Sequence, residues 1–197
     1  MNNKAWQEKT QAKSLTLSKL RDIINGPDKL AIGLAGFSGN FDTQERPDIE
    51  QVIQQIIEYM LHEKMESCLP QQIFMVSGAT KLGVPQVGYT VARKLGISSI
   101  GLTANEAIDH PIAEINYLTV VGEQFGDESE AFISIIDELW VIGGGEQSLK
   151  ECKLAVNSET PVKIIQGLGG IADSLNSQVL EATYINVDQY IEQNDAY

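Results

Sequence analysis

Glu151 stands just beyond a run of small and polar residues, Gly143-Gly144-Gly145-Glu146-Gln147-Ser148, that begins where the apolar stretch 139–142 stops. A carboxylate at such a place can assist an oxocarbenium-like transition state, which makes Glu151 the candidate catalytic residue. The glycines before it let a ligand approach the backbone closely, and Ser148 and Gln147 add polar side chains. Two more apolar runs end in the same manner. Residues 30–37 (LAIGLAGF) lead into Ser38-Gly39-Asn40, and 73–76 lead into Ser77-Gly78-Ala79-Thr80-Lys81-Leu82-Gly83. Thr80 offers a hydroxyl and Lys81 a charge. Backbone N–H groups left unpaired at a helix start bind phosphate, so these loops form the candidate ligand site: Gly36, Ser38 and Gly39 from the first, Ser77, Gly78, Thr80, Lys81 and Gly83 from the second, and Gly143, Gly144, Gly145, Gln147 and Ser148 from the third.

Neither G-x-G-x-x-G nor G-x-x-x-x-G-K-[ST] is present, so the loops carry neither the usual dinucleotide fingerprint nor a P-loop. No acid follows the first strand in the form of a ribose clamp, although Asp42 and Glu45 are near. His110, in Asp109-His110-Pro111, is a candidate acid or base. Phe125 and Trp140 are candidates to stack on a base, but Trp140 lies within an apolar run and reads as core. No spacing specifies a metal site; no cofactor is required by the pattern and magnesium is not expected.

The elements around these loops alternate. Apolar residues at helical spacing predict helices over 14–25, 47–66, 85–95, 127–136, 146–157 and 171–180, with Pro47 and Pro85 at early helical positions. Buried-strand patterns fall at 30–36, 72–77, 98–103, 116–121, 138–142 and 162–165, with a possible seventh at 183–187. This alternation predicts a three-layer, Rossmann-like, doubly wound α/β fold on a mostly parallel sheet of six or seven strands. Residues 1–29 read as an arm and a helix, and 30–197 as one nucleotide-binding domain. In such a sheet the three loops share the carboxyl edge, where ligands bind. The second and third loops precede helix starts suited to phosphate. Ten residues separate Gly36 from Pro47, enough for the first loop to cover a ligand.

Composition narrows the partners. A net charge of −13 excludes a general nucleic-acid binder, and no run is long and apolar enough to span a membrane. The N-terminal residues lack the apolar core of a secretory signal, so a cytoplasmic protein is expected. Cys68 and Cys152 have no metal or redox spacing and read as free thiols. The apolar stripe Ile49, Val52, Ile53, Ile56, Ile57, Met60 and Leu61 fits either core burial or a homo-oligomer face.

The segment S-G-A-T-K-L-G-V-P, followed 65 residues later by G-G-G-E-Q-S-L-K-E, resembles the SLOG/LOG-like Rossmannoids. These include LONELY GUY phosphoribohydrolases, channel-associated nucleotide sensors and molybdenum cofactor carriers. Against the hydrolase motif P-G-G-x-G-T-x-x-E, Gly144 and Gly145 match the first glycines, Ser148 the threonine and Glu151 the glutamate. Gly143 replaces the proline and Gln147 the third glycine. The resemblance implies a nucleotide-type small-molecule ligand and a homodimer or higher homo-oligomer. The arginine that the hydrolase branch uses after the fourth strand has no counterpart in Gly122–Asp127, and no arginine follows Arg93. Binding or sensing of a nucleotide-derived phosphate ligand is therefore the leading expectation. A nucleoside-monophosphate phosphoribohydrolase and a pterin-type cofactor carrier are the alternatives.

Overall fold

The apolar runs pair side by side in one parallel sheet. The computed structural model describes residues 10–39, 41, 48–177 and 180–194. Its strands are β1 (Lys13–Ser14), β2 (Leu30–Gly36), β3 (Ile73–Gly78), β4 (Ser98–Thr103), β5 (Tyr117–Val120), β6 (Glu138–Ile142), β7 (Val162–Gln166) and β8 (Thr183–Asn186). They lie in the order β1-β5-β4-β3-β2-β6-β7-β8, and every pair is parallel. The chain thus winds outward from β2 in both directions. The doubly wound expectation holds, with one strand more than the upper count: β1 is a two-residue addition within the stretch expected to be arm, paired with β5.

Strand side chains alternate between two cores. Ile32, Leu34, Trp140 and Ile142 face helices α2 (Ile49–Met65), α3 (Gly83–Lys94) and α7 (Val187–Asn194). Ala31, Ala35, Leu139 and Val141 face α1 (Leu17–Ile24), α4 (Ser129–Ile133), α5 (Glu146–Asn157) and α6 (Gly170–Ser174). Three layers result, because a sheet apolar on both faces must be covered on both. The whole α2 stripe from Ile49 to Leu61 is buried within the chain, so it offers no apolar face to a second copy.

Several boundaries differ from the sequence reading. The helix expected over 127–136 is only Ser129–Ile133. Asp137 exchanges two 2.7 Å hydrogen bonds with the backbone of Ala31, so the chain must already be extended when β6 begins. The helix expected over 171–180 stops at Ser174, where Gln166 Nε2 donates to the carbonyls of Ala172 and Leu175. Residue 187, assigned to a strand, instead opens α7, with Asn186 Oδ1 accepting from Gln189 N at 3.2 Å. Asn40, Asp42, Glu45 and Pro47 lie outside the described residues, as do residues 1–9.

One buried charge anchors the sheet at its amino end. Glu138 is 8% exposed, accepts from Lys64 Nζ and from Trp140 Nε1 at 2.7 Å, and pairs ionically with Lys163 Nζ at 3.2 Å. Burial pushes its pKa up, but the bonds from Lys64 and Trp140 and the field of Lys163 outweigh that, and the net shift is downward. A depressed carboxylate contributes stability above its ordinary pKa and loses it as the pH falls through the folded value. Removing it strands three partners, so Glu138→Ala is expected to cost about 3 kcal/mol near neutrality. The variant should also lose less stability than the parent chain on acidification, and urea unfolding at neutral and acid pH measures both effects.

Candidate functional site

The helix that begins at Glu146 leaves its first donors unused. Its cap is Gly145, which has no side chain to donate to, and Leu149 N–H is the first to find a turn partner, Gly145 O at 3.0 Å. The N–H groups of Glu146, Gln147 and Ser148 take no acceptor among the described residues. A Cβ built on Gly145 would meet nothing within 4 Å, so this end of α5 is open. It opens into a cavity of about 460 Å³ at the carboxyl edge of the sheet, a size suited to a small ligand.

Elements on both sides of β2 wall this cavity. Gly36, Phe37 and Ser38 come from the end of β2, and Ser77, Gly78 and Thr80 from the end of β3. Thr103 follows on β4, and the segment after it brings His110 and Pro111. Phe125, Glu128 and Phe132 come from beyond β5, and Gly145 to Ser148 with Glu151 from α5. Of the residues expected from sequence, Gly36, Ser38, Ser77, Gly78, Thr80, Gly145, Gln147, Ser148 and Glu151 thus meet around one space. Gly39, Lys81, Gly83, Gly143 and Gly144 are not in its wall.

Those five have other surroundings. Gly83 has φ +62°, and a Cβ there would collide with the Phe37 carbonyl. That carbonyl accepts from Val84 N at 2.7 Å, and Pro85 has no N–H, so two of the first donors of α3 are removed from ligand reach. Of the two expected phosphate-suited helix starts, only that of α5 is open. Gly143 and Gly144 hand their carbonyls to Ala172 N and Ile171 N, and pack on Gly170. Gly39 packs against the Phe37 ring. Lys81 is exposed, and its N–H is held by Pro111 O at 3.1 Å.

The polar groups divide into engaged and free. Ser77 Oγ donates to Leu34 O at 2.5 Å, and Gly78 O accepts from Tyr89 OH at 3.1 Å, so both belong to the scaffold. The hydroxyls of Ser38, Thr80, Thr103 and Ser148 line the cavity without a hydrogen bond among the described residues. Phe125 is 50% exposed and meets the His110 ring edge-on at 5.6 Å, giving a rim that can hold a flat ring. Trp140 is fully buried and takes no part.

A carboxyl pair occupies the inner wall. Glu151 and Glu128 are each 7% exposed. Glu151 Oε1 accepts from Gln147 Nε2 at 3.2 Å and Ser129 Oγ at 3.3 Å, while Gln147 Nε2 also reaches Glu128 Oε1 at 3.3 Å. Glu128 Oε2 takes Gly126 N at 2.9 Å. Burial dominates Glu151 and pushes its pKa up to about 7, with the Glu128 charge adding to the rise against the bonds from Gln147 and Ser129. No lysine or arginine lines the cavity among the described residues. Lys150 is turned outward onto Gly126 O at 2.9 Å. Asp127 holds the preceding turn by accepting from the N–H groups of Glu123 and Gln124, which lowers its pKa.

Sequence reasoning missed Glu128 and Thr103. Glu128 sits in an acidic stretch that reads as a solvated face, and only the turn at Gly126 carries it inward. Thr103 had a signal, its place at the carboxyl end of a strand.

Fold and cavity together define a Rossmann-like protein with a cleft at the carboxyl edge of a parallel sheet. No family model matches the sequence, and no curated protein matches it. Solved structures do. The protein TM1055 superposes with a TM-score of 0.64 at 17% identity, over 85% of this chain and 99% of that one. The molybdenum cofactor binding protein of the phototrophic bacterium Rippkaea orientalis gives 0.63 at 17%, over 87% and 98%. The molybdenum cofactor carrier protein of Chlamydomonas reinhardtii gives 0.56 at 19%, over 85% and 97%. These likenesses show a shared Rossmann-like α/β fold, as the resemblance to the SLOG/LOG-like Rossmannoids implied.

Because Glu151 titrates above its ordinary 4.5, its contribution to stability is complete below that pH and is lost as the pH rises through about 7. Glu151→Gln keeps an acceptor for Gln147 and Ser129 but cannot ionise. It is expected to stabilise the protein by about 2–3 kcal/mol above pH 8 and by little below pH 5, read by urea unfolding across that range.

Proposed function

We propose that the chain binds a small, flat heterocycle bearing a single anionic group, of pterin type, and holds it without turning it over. The open start of α5, facing the cavity with three N–H groups unpaired among the described residues, is the observation that carries this reading. Three backbone N–H groups and the helix dipole suit one anionic group. Several phosphates would face Glu128, Glu146 and Glu151, with no arginine or lysine among the described wall residues to offset them. The rim of Phe125 and His110 suits a flat ring, and the unpaired hydroxyls of Ser38, Thr80, Thr103 and Ser148 suit its polar edge.

A molybdenum cofactor, which two of the similar structures are named for binding, is a phosphorylated pterin. The residues present fit it in kind: the α5 start would take its phosphate and the carboxyl pair its ring edge. It would supply redox chemistry to an acceptor enzyme; this chain's residues only bind and shield it. Hydrolysis of a nucleoside monophosphate has less support. Glu151 provides a carboxyl, but it is drawn toward the protonated state, and the position after β5 where an arginine would stand is held by the turn Gly122–Asp127.

Calorimetric and thermal-shift titration with pterin-6-carboxylate and guanosine 5′-monophosphate tests the reading. Binding without release of free base is expected, with about 2.7 kcal/mol of stabilisation at a hundred times the dissociation constant. Gly145→Ala has room for its methyl group at the helix start, so it should weaken binding about tenfold while leaving unfolding unchanged. No stabilisation by either probe, or release of the base, contradicts the proposal.

A further inference from the structure

We propose that Glu128 and Glu151 read an N–H donor edge on the ligand's ring, selecting a 2-amino-4-oxo pyrimidine face over rings that lack the exocyclic amine. This rests on the binding function proposed above and names the part of the ligand that its inner wall recognises.

The geometry is one-sided. Glu151 Oε1 is fully engaged by Gln147 and Ser129, while Oε2 receives no donor from any described residue, although the side chain is 93% buried and lines the cavity. That oxygen is open to the cavity and not sealed off from it, so a donor on a ligand can reach it directly. Gln147 directs its amide N–H groups to both glutamates, so the pair is held together and its orientation is set from within the protein. Adjacent ring N–H and exocyclic amine groups present two parallel donors, one for Glu151 Oε2 and one for the neighbouring Glu128 carboxylate, whose oxygens each hold a single donor from the protein. Pterins and guanine share that edge. Lumazines replace the amine by a carbonyl, which would oppose a carboxylate, and hypoxanthine has only a hydrogen there.

A proton accompanies this recognition. The groups that face Glu151 are Glu128, whose charge discourages its ionisation, and Lys150, which favours it; Cys152 adjoins it, and Glu146 and His110 line the same cavity. N–H donors favour the charged carboxylate, so ligand binding expels the proton that the empty site retains. Affinity should therefore rise as the pH increases through about 7 and level off above it.

The test uses two matched pairs, pterin-6-carboxylate against lumazine-6-carboxylate and guanosine against inosine 5′-monophosphate, titrated into the full chain at several pH values. At least one pair is expected to show about a tenfold preference for the amino-bearing member. Glu151→Gln and Glu128→Gln should shrink that preference, and Glu151→Gln should flatten the pH dependence. Equal affinity within each pair that binds overturns this inference while leaving the binding function intact. So does a preference unchanged in both variants. A pH dependence that persists in Glu151→Gln assigns the proton to another group and refutes the linkage. If no member of either pair binds, the binding function fails and this inference falls with it. The matched-pair comparison on the parent chain needs no variant to fold.

Discussion

In this sheet β2 has neighbours that lead away in opposite directions: β3 opens a path outward through β4, β5 and β1, and β6 opens another through β7 and β8. Parallel pairing then sends every crossover back to the same edge, and the loops after β2 and β6 part to opposite faces. A crevice at that divergence is a consequence of topology, not of any particular side chain. The helix α5 enters it because β6 ends at Ile142 and the chain must turn at once. Gly143 and Gly144, both at positive φ, make that turn, and their carbonyls accept from Ala172 N and Ile171 N at the start of α6. The open donors of α5 are thus placed by scaffold glycines that never reach the cavity themselves.

The electrostatic character of the cleft follows from the same arrangement. One helix start contributes its partial positive charge, and three carboxyl groups line the remaining wall without a lysine or arginine among its described residues. Glu128 and Glu151 share the amide of Gln147 at low exposure; burial, with the Glu128 charge beside it, holds the Glu151 carboxyl above its ordinary range against the bond from Gln147.

The architecture was legible in the sequence because buried parallel strands read as unbroken apolar runs, and three of those runs end in glycine. The ends of elements were less so, for their causes are distant in sequence. The exchange between Asp137 and Ala31 that cuts α4 short joins residues 106 positions apart. The Asn186 cap of α7 was available as a local signal and was outweighed by the β-rich residues before it. At the site, glycines did not reveal by type whether they face a ligand or a neighbouring backbone. Gly145 stands in open space, whereas Gly83 abuts the Phe37 carbonyl. Glu151 was legible from its motif; Glu128 was not, since its inward turn depends on Gly126 and on Gln147 from another element.

The central claim is that the ligand's anionic group sits on the N–H groups of Glu146, Gln147 and Ser148. A crystal structure of the protein with bound pterin-6-carboxylate, or with whatever small molecule stays with it through purification, tests this most directly. The account predicts an anionic group within hydrogen-bond distance of those amides, with the ring against Phe125 and its donor edge toward Glu151. An anionic group seated instead at the start of α3, or a ligand lying outside this cavity, would contradict it.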